Sequence, residues 1–323
     1  NASGGTYVSW NWDGGNGNNT YTVTVSGGKF YIDGVQQPTL TLAEGSTYKF
    51  DQSASTNATH PLRFSTTSDG THGGGSEYTT GVTTAGTPGS AGAYTQIVIA
   101  ASAPTLYAYC TNHSGMGFQV NTSDKGGATN LDGSIASQVM ANPSAGFSIV
   151  TYTAVGGNNS FGHGLNVKPK FILIKNGSNT ADWFAMFDTG GASYLHGYLN
   201  GTSQFYAASA QPVSTSTITY GNDNAMFGAN GNNYLAYCFA PVANYSAMDT
   251  YTGNGSSDGI FVIVAGAITS IICGITSPLR IIFTTAPTPN LFFSTNSALN
   301  AVAYSIFTPP NCIGSIFIRG FNK

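Results

Sequence analysis

Short runs of alternating apolar and polar residues, separated by glycine-rich turns, dominate the chain. Residues 20–25 (TYTVTV) alternate strictly, and Gly27 and Gly28 separate them from the run at 29–32. Alternation with a period of two residues indicates a strand with one buried face, and two glycines between two such runs indicate a hairpin. No long window places apolar residues at helical spacing with caps. The pattern therefore predicts an all-β protein.

Seven or so short strands are predicted between residues 13 and 122. They include the runs at 40–42, 47–50, 96–99 and 106–109. This many short strands within about a hundred residues are typical of a Greek-key β-sandwich. We expect one such module here.

The rest of the chain repeats itself. Residues 147–153 are echoed at 245–252, and the aromatic run at 230–240 resembles residues 1–12. A recurring β pattern of about a hundred residues indicates tandem β-sandwich modules. An orphaned closing strand at 1–12 has unpaired backbone groups, so it is also a candidate for completing the sheet of a neighbouring copy.

These patterns predict five segments. Residues 1–12 close a β repeat, 13–122 form the Greek-key sandwich and 123–144 are a linker. Residues 145–244 form a complete repeat, and 245–323 form a second, divergent one.

Composition excludes several classes of protein. Charged residues make up 7% of the chain and the net charge is −3 with no basic run, which argues against nucleic-acid binding. Eighteen Tyr and 19 Phe argue against a disordered polar tract. The four cysteines are widely spaced and contain no CxxC pair, so no disulfide framework is expected. The start of the chain lacks the pattern of a signal peptide.

An uncharged, largely apolar segment at 260–279 is long enough to cross a bilayer. Glycine, serine and threonine interrupt it, and β-branched residues are abundant in it. Two buried strands with a turn between them are therefore favoured over a membrane span.

One group of residues has a definite chemistry. Cys110, His113 and Met116 follow an aromatic strand at intervals of three residues, and His60 lies about fifty residues upstream. One thiolate, two imidazoles and one thioether are the donors of a trigonal copper site with a weak axial sulfur. A different interpretation stays open: Cys110 is a small buried apolar group and His113 pins its loop through a backbone carbonyl.

Residues 20–120 resemble a cupredoxin-type domain. The resemblance lies in Gly-x-Thr-Tyr-x-Phe-Asp at 45–51 and in Tyr-x-Tyr-Cys-x-x-His-x-x-Met-Gly at 107–117. It implies bound copper, a role in electron transfer, and four ligands: His60, Cys110, His113 and Met116. A glycine-rich excursion at 69–92 departs from the soluble carriers, and such a segment either covers the site or forms a contact surface.

The flanking repeats resemble those of marine bacteriophage tail and fibre proteins. The motifs are 145–153, Gly-His-Gly at 162–164, 169–176 and the closing run at 234–240. No catalytic residues follow from this resemblance. His163 lacks a nucleophile and an orienting acid in a recognisable pattern, so we interpret it as a turn or packing residue. His72 and His196 are interpreted as lone histidines in glycine-rich turns.

The leading functional hypothesis is a non-enzymatic structural or adhesive protein of a phage virion, in a tail, fibre or capsid-decorating position. Its expected partners are other copies of itself, other virion proteins, and host surface glycans or proteins, at the virion surface or outside the cell. A copper-binding cupredoxin electron carrier or copper-sequestering domain is the first alternative. A subunit of a secreted microbial filament or adhesin is the second.

Overall fold

A computed structural model describes most of the first 248 residues and two short strands beyond them. The described ranges are 12–15, 17–190, 194–207, 212–221, 226–243, 245–248, 271–274 and 280–283. The predicted closing strand at 1–12 (except Trp12), and most of the predicted repeat at 245–323, lie outside the described residues.

The first module consists of ten strands in two sheets. Its strands are β1 (Asn19–Ser26), β2 (Lys29–Ile32), β3 (Val35–Gln36), β4 (Leu40–Ala43), β5 (Thr47–Asp51), β6 (Leu62–Ser65), β7 (Val82–Ala85), β8 (Tyr94–Val98), β9 (Leu106–Cys110) and β10 (Phe118–Ser123). One sheet has the order β3-β2-β1-β5-β8-β7 and the other β4-β10-β9-β6. Two short 3-10 helices, Ser55–Asn57 and Gly70–Gly73, lie in the connections.

Alternation decides which face of each strand is buried. In β1 the side chains of Tyr21 and Val23 point into the space between the sheets, as Phe50 does from β5 and Phe64 from β6. The ring of Phe50 lies 5.3 Å from that of Tyr21 and 5.4 Å from that of Phe64. These contacts form one apolar core between the two sheets.

The β1–β2 turn confirms the predicted hairpin. Gly27 and Gly28 are its only central residues, and both have positive φ, at 56° and 68°. Two consecutive left-handed residues make the tight turn whose twist matches that of paired strands, and glycine adopts them without steric cost.

The second module is built on an eight-stranded antiparallel sheet with the order β11-β12-β13-β20-β15-β16-β17-β18. Its strands are β11 (Ala128–Asn130), β12 (Ser137–Asn142), β13 (Phe147–Thr153), β15 (Phe171–Asn176), β16 (Phe184–Asp188), β17 (Tyr194–Tyr198), β18 (Tyr206–Ala207) and β20 (Asn233–Phe239). A two-stranded sheet of β14 (Asn159–Gly162) and β19 (Thr217–Tyr220) packs on one face.

Aromatic rings fill the space between these two sheets. Tyr152 from β13 stacks on Phe161 of β14 at 3.9 Å and on Tyr234 of β20 at 5.3 Å. Tyr220 of β19 lies 6.0 Å from Tyr152. Stacked rings bury large apolar areas, which explains why so many tyrosines occur in a chain with few charged residues.

The predicted linker at 123–144 is wrong. Residues 128–130 and 137–142 form β11 and β12, which are part of the eight-stranded sheet. Ala128 also belongs to the core of the first module, and the hydroxyl of Tyr21 donates to the carbonyl of Thr129 at 2.8 Å. The prediction failed because both strands are short and largely polar, and because β11 contacts both modules.

The fold class is all-β, as predicted, and several sheets pack in layers. Beyond Phe239, a hairpin of β21 (Ile271–Gly274) and β22 (Arg280–Phe283) is described. It includes residues 271–274 of the apolar segment at 260–279, and these form a strand. No helix in the described ranges has the length and apolar character needed to cross a membrane.

His163 is a packing residue in the second module. It is fully buried, its Nδ1 accepts from the backbone N–H of Leu165 at 3.3 Å, and its Nε2 lies 3.4 Å from the carbonyl of Ser214. These two partners require the neutral ring with the proton on Nε2. Burial accordingly lowers the pKa of His163 to about 4.

Acidification is expected to destabilise the protein through His163. Its pKa is about 4 in the folded protein and 6.5 in a solvated, unfolded chain, so the unfolded chain binds a proton first as pH falls. The stabilisation is complete above pH 6.5 and is lost between about 6.5 and 4, with a loss of about 3 kcal/mol in the free energy of unfolding. Denaturant unfolding at several pH values measures this loss. His163→Asn is expected to reduce the pH dependence, whereas equal slopes in both proteins would contradict the assignment.

Candidate metal centre

The pairing of two strands brings the candidate ligands together. Leu62, the first residue of β6, lies opposite Cys110, the last residue of β9. His60 precedes β6 by two residues, and the N–H of Thr111 donates to the carbonyl of Pro61 at 3.1 Å. The loop after β9 then carries His113 back towards His60. Residues fifty positions apart in the chain therefore meet at one end of the four-stranded sheet.

Three donor atoms converge at this end. The Sγ of Cys110 lies 3.8 Å from Nδ1 of His60 and 3.7 Å from Nδ1 of His113. The nearest ligand atoms of the three residues all lie within 4.8 Å of one another. A metal ion about 2.0 Å from a nitrogen and about 2.3 Å from a sulfur, with about 120° between the bonds, separates the two donors by about 3.7 Å. The two sulfur–nitrogen distances fit trigonal coordination.

The exposure of the candidate ligands increases from the core to the surface. Cys110 is fully buried, His60 is partly buried and His113 is exposed. Met116 is 1% exposed and belongs to the apolar core, below the ligand loop. Cys110 and Met116 are thus buried in the same apolar core, whereas the two histidines lie nearer the surface.

The loop at 111–117 is fixed to its surroundings by polar contacts. The N–H of Phe30 donates to the carbonyl of Met116 at 3.0 Å. The amide of Gln37 donates to the carbonyl of Gly117 at 2.6 Å, and the ammonium of Lys29 donates to the carbonyl of Gly115. The amide of Asn112 donates to the carbonyl of Thr59 at 2.9 Å. The loop is held by the β1–β2–β3 edge on one side and by the His60 segment on the other.

His60 is held equally firmly. Its N–H donates to the carbonyl of Asn57 at 2.9 Å, and its carbonyl accepts from the amide of Gln52 at 2.8 Å. The amide of Asn57 in turn donates to the carbonyl of Val23 at 2.7 Å. Burial lowers the pKa of His60, and the adjacent His113 imidazole lowers it further. A neutral imidazole is the form that binds a metal.

Two residues of the glycine-rich excursion also contact the ligand loop. The carboxylate of Asp69 accepts from the N–H of Gly115 at 2.8 Å and from the hydroxyl of Ser114. The Nε2 of His72, in the 3-10 helix Gly70–Gly73, lies 3.0 Å from the carbonyl of Cys110. Sequence reasoning gave His72 no role, because nothing in the sequence shows which strand its turn contacts. Only the unusual length of the excursion indicated a segment that either covers the site or forms a contact surface.

His72 lies in a glycine-rich turn, as predicted, but the prediction for the other lone histidine, His196, was wrong. His196 lies in β17, where it is 6% exposed and faces the core, and burial lowers its pKa. The glycine that follows it is part of the strand, and the adjacent ring of Phe205 fills the space that a side chain at Gly197 would need. The glycine there serves close packing and not a turn.

Two buried cysteines, Cys110 and Cys238, differ in environment. Cys238 is buried within the aromatic core of the second module, and burial raises the pKa of its thiol to about 12. A thiol of that pKa stays protonated at neutral pH and is a poor ligand. Cys110, by contrast, has two imidazoles within 3.8 Å. The arrangement around Cys110 is therefore the one suited to a soft or borderline metal ion.

Comparison with known proteins adds a family and no activity. No curated protein matches the chain. Residues 53–275 match a family model described as a domain of unknown function, DUF7483, and this span contains all four candidate ligands. Because the match covers more than half of the sequence, the chain belongs to the DUF7483 family.

Proposed function

We propose that the first module binds a copper ion through His60, Cys110 and His113, with Met116 as a weak fourth ligand. The observation that carries the proposal is the convergence of one thiol and two imidazoles, with the thiol 3.7–3.8 Å from each imidazole Nδ1. Side chains that merely pack have no reason to direct three donor atoms at one point.

The donor set favours copper over zinc and iron. Structural zinc sites usually combine more thiolates or histidines in a closed tetrahedron, whereas a single thiolate, two imidazoles and a thioether suit copper in both its oxidation states. Met116 lies in the apolar core. Its thioether carries no charge and forms the weak, long bond that is typical of an axial ligand.

The polar contacts of the ligand loop favour a role in holding copper over a role in passing electrons between partners. The side chains that reach the ligand loop from outside include Lys29, Gln37 and Asp69, all polar. An electron carrier typically exposes an apolar patch for docking beside its solvent-facing histidine. Polar side chains around the loop are better suited to a copper ion that stays bound within a larger assembly.

A second proposed function is non-enzymatic structural: a building block of a virion or of a secreted filament, assembled from copies of this chain. It is supported by the exposed end of the eight-stranded sheet. Among the described strands β18 is the outermost at this end: its first residue, Tyr206, is 50% exposed, Phe205 just before it is 36% exposed, and Leu199, which follows β17, is 51% exposed. Apolar side chains along the outer edge of a sheet favour addition of a strand from another molecule.

Copper addition tests the first proposal. Cu(II) added to the purified protein is expected to produce an intense visible absorption band from thiolate-to-copper charge transfer, saturating at one copper per chain. Cys110→Ser is expected to abolish the band, since a hydroxyl does not replace the thiolate. Cys238→Ala is the matched control and should keep it. A folded wild-type protein without the band would refute copper binding through Cys110.

Met116→Leu separates ligation from packing at the fourth position. Leucine has a similar volume, so the apoprotein should lose less than about 1.5 kcal/mol of stability. Loss of the thioether donor is expected to raise the reduction potential, because the axial ligand tunes the potential of such a centre. The visible band should persist. Voltammetry of both proteins measures this difference. An unchanged potential would mean that Met116 packs in the core and is not a ligand.

Sedimentation tests the assembly proposal. Wild-type protein is expected to associate with increasing concentration, and Tyr206→Lys should weaken that association by placing a charge on the edge strand. Val167→Lys, at a residue 47% exposed in the loop before β15, is the control and should not weaken it. Equal association of all three proteins would exclude the β18 edge, and electron microscopy of native particles would show whether the assembly is a virion or a filament.

A further inference from the structure

We propose that Asp69 and His72 are positioning residues of the metal centre, which hold the loop from Cys110 to Met116 in its binding conformation before the ion arrives. This inference rests on the proposed copper binding. It assigns a role to the start of the glycine-rich excursion, which contains none of the four proposed ligands.

Asp69 holds the middle of the loop. Its two carboxylate oxygens accept from consecutive residues, Ser114 and Gly115, which lie between the ligands His113 and Met116. Asp69 itself has a φ of 60°, a left-handed conformation that aspartate tolerates better than most residues. Because both carboxylate oxygens of Asp69 accept hydrogen bonds from the loop, the amide of Gly115 has little freedom to rotate away from the site.

His72 holds the end of β9. Its Nε2 donates to the carbonyl of Cys110 at 3.0 Å, while the N–H of the same peptide group, on Thr111, donates to the carbonyl of Pro61. One peptide group is thus fixed from both sides, by the excursion at its oxygen and by the neighbour of His60 at its nitrogen. The direction of the Cys110 side chain depends on the orientation of this peptide.

The excursion is anchored so that it reaches these groups. Gly70 packs against the ring of Tyr109, and a Cβ at residue 70 would lie 2.4 Å from the Cγ of that ring. Its φ of 57° also suits glycine. Asp69 and His72 are therefore fixed to β9, the strand that ends in the thiol.

Preorganisation has a measurable consequence. When the loop is ordered during folding, the ion does not have to order it on binding, so affinity and coordination geometry depend on the groups that hold the loop. Removing groups that orient metal ligands typically weakens metal binding by about 10- to 100-fold. A role restricted to folding would instead lower stability and leave the centre unchanged once the protein is folded.

Four variants of the full chain test the proposal with Cu(II) as the probe. Asp69→Ala and His72→Ala are each expected to weaken copper binding by about 10- to 100-fold and to shift the visible band and the electron paramagnetic resonance spectrum of the copper protein. His72→Gln keeps a side-chain N–H donor and should restore much of the wild-type spectrum. Thr83→Ala, at an exposed residue of the same excursion, should match wild type.

Circular dichroism and thermal unfolding of the apoproteins show that each variant is folded before copper is added. Folded Asp69→Ala and His72→Ala proteins with the wild-type affinity and spectra would overturn the positioning role and leave copper binding intact. Wild-type protein without a copper band would overturn the proposed function, and this inference with it. Failure of His72→Gln to restore the spectrum would remove His72 as a hydrogen-bonding positioning residue.

Discussion

The antiparallel pairing of β6 with β9 is the contact on which the candidate centre depends. Its register places Leu62 opposite Cys110, and this sets His60 beside the thiol. Because side chains alternate along a strand, a slip of one residue would turn Cys110 away from the core and remove it from both imidazoles. The apolar residues that bury this sheet, such as Phe64 and Leu106, therefore also fix the chemistry at its end.

The same packing logic connects the two modules. Thr129 in β11 accepts the hydroxyl of Tyr21 at its carbonyl, and its side chain accepts the N–H of Thr41 at 2.7 Å. The strand that begins the second sheet is thereby bonded to two strands of the first module. The described residues up to Phe239 accordingly form one compact unit. The candidate metal centre and the outer edge of the eight-stranded sheet therefore belong to the same unit.

Much of the fold was predictable because it depends on local pattern. The hairpin at Gly27 and Gly28, the strands at 106–109 and 147–153, and the all-β class all follow from alternation and turn chemistry. The linker was mispredicted because β11 and β12 are short and largely polar, and because β11 packs against the first module while it pairs in the second sheet. His196 was misplaced because a glycine next to it indicated a turn, whereas the glycine there admits the ring of Phe205.

The sequence by itself determined the donor types at the candidate centre: a thiol, two imidazoles and a thioether, three of them within one short loop. Their proximity to His60, the polar contacts that fix the loop, and the places of Asp69 and His72 against it were decided by the tertiary structure. The physical reason is the sequence separation over which each kind of interaction acts. Alternation and turn preferences act over a few residues, whereas His60 and Cys110 are separated by 50 positions and meet only when two strands pair in one register.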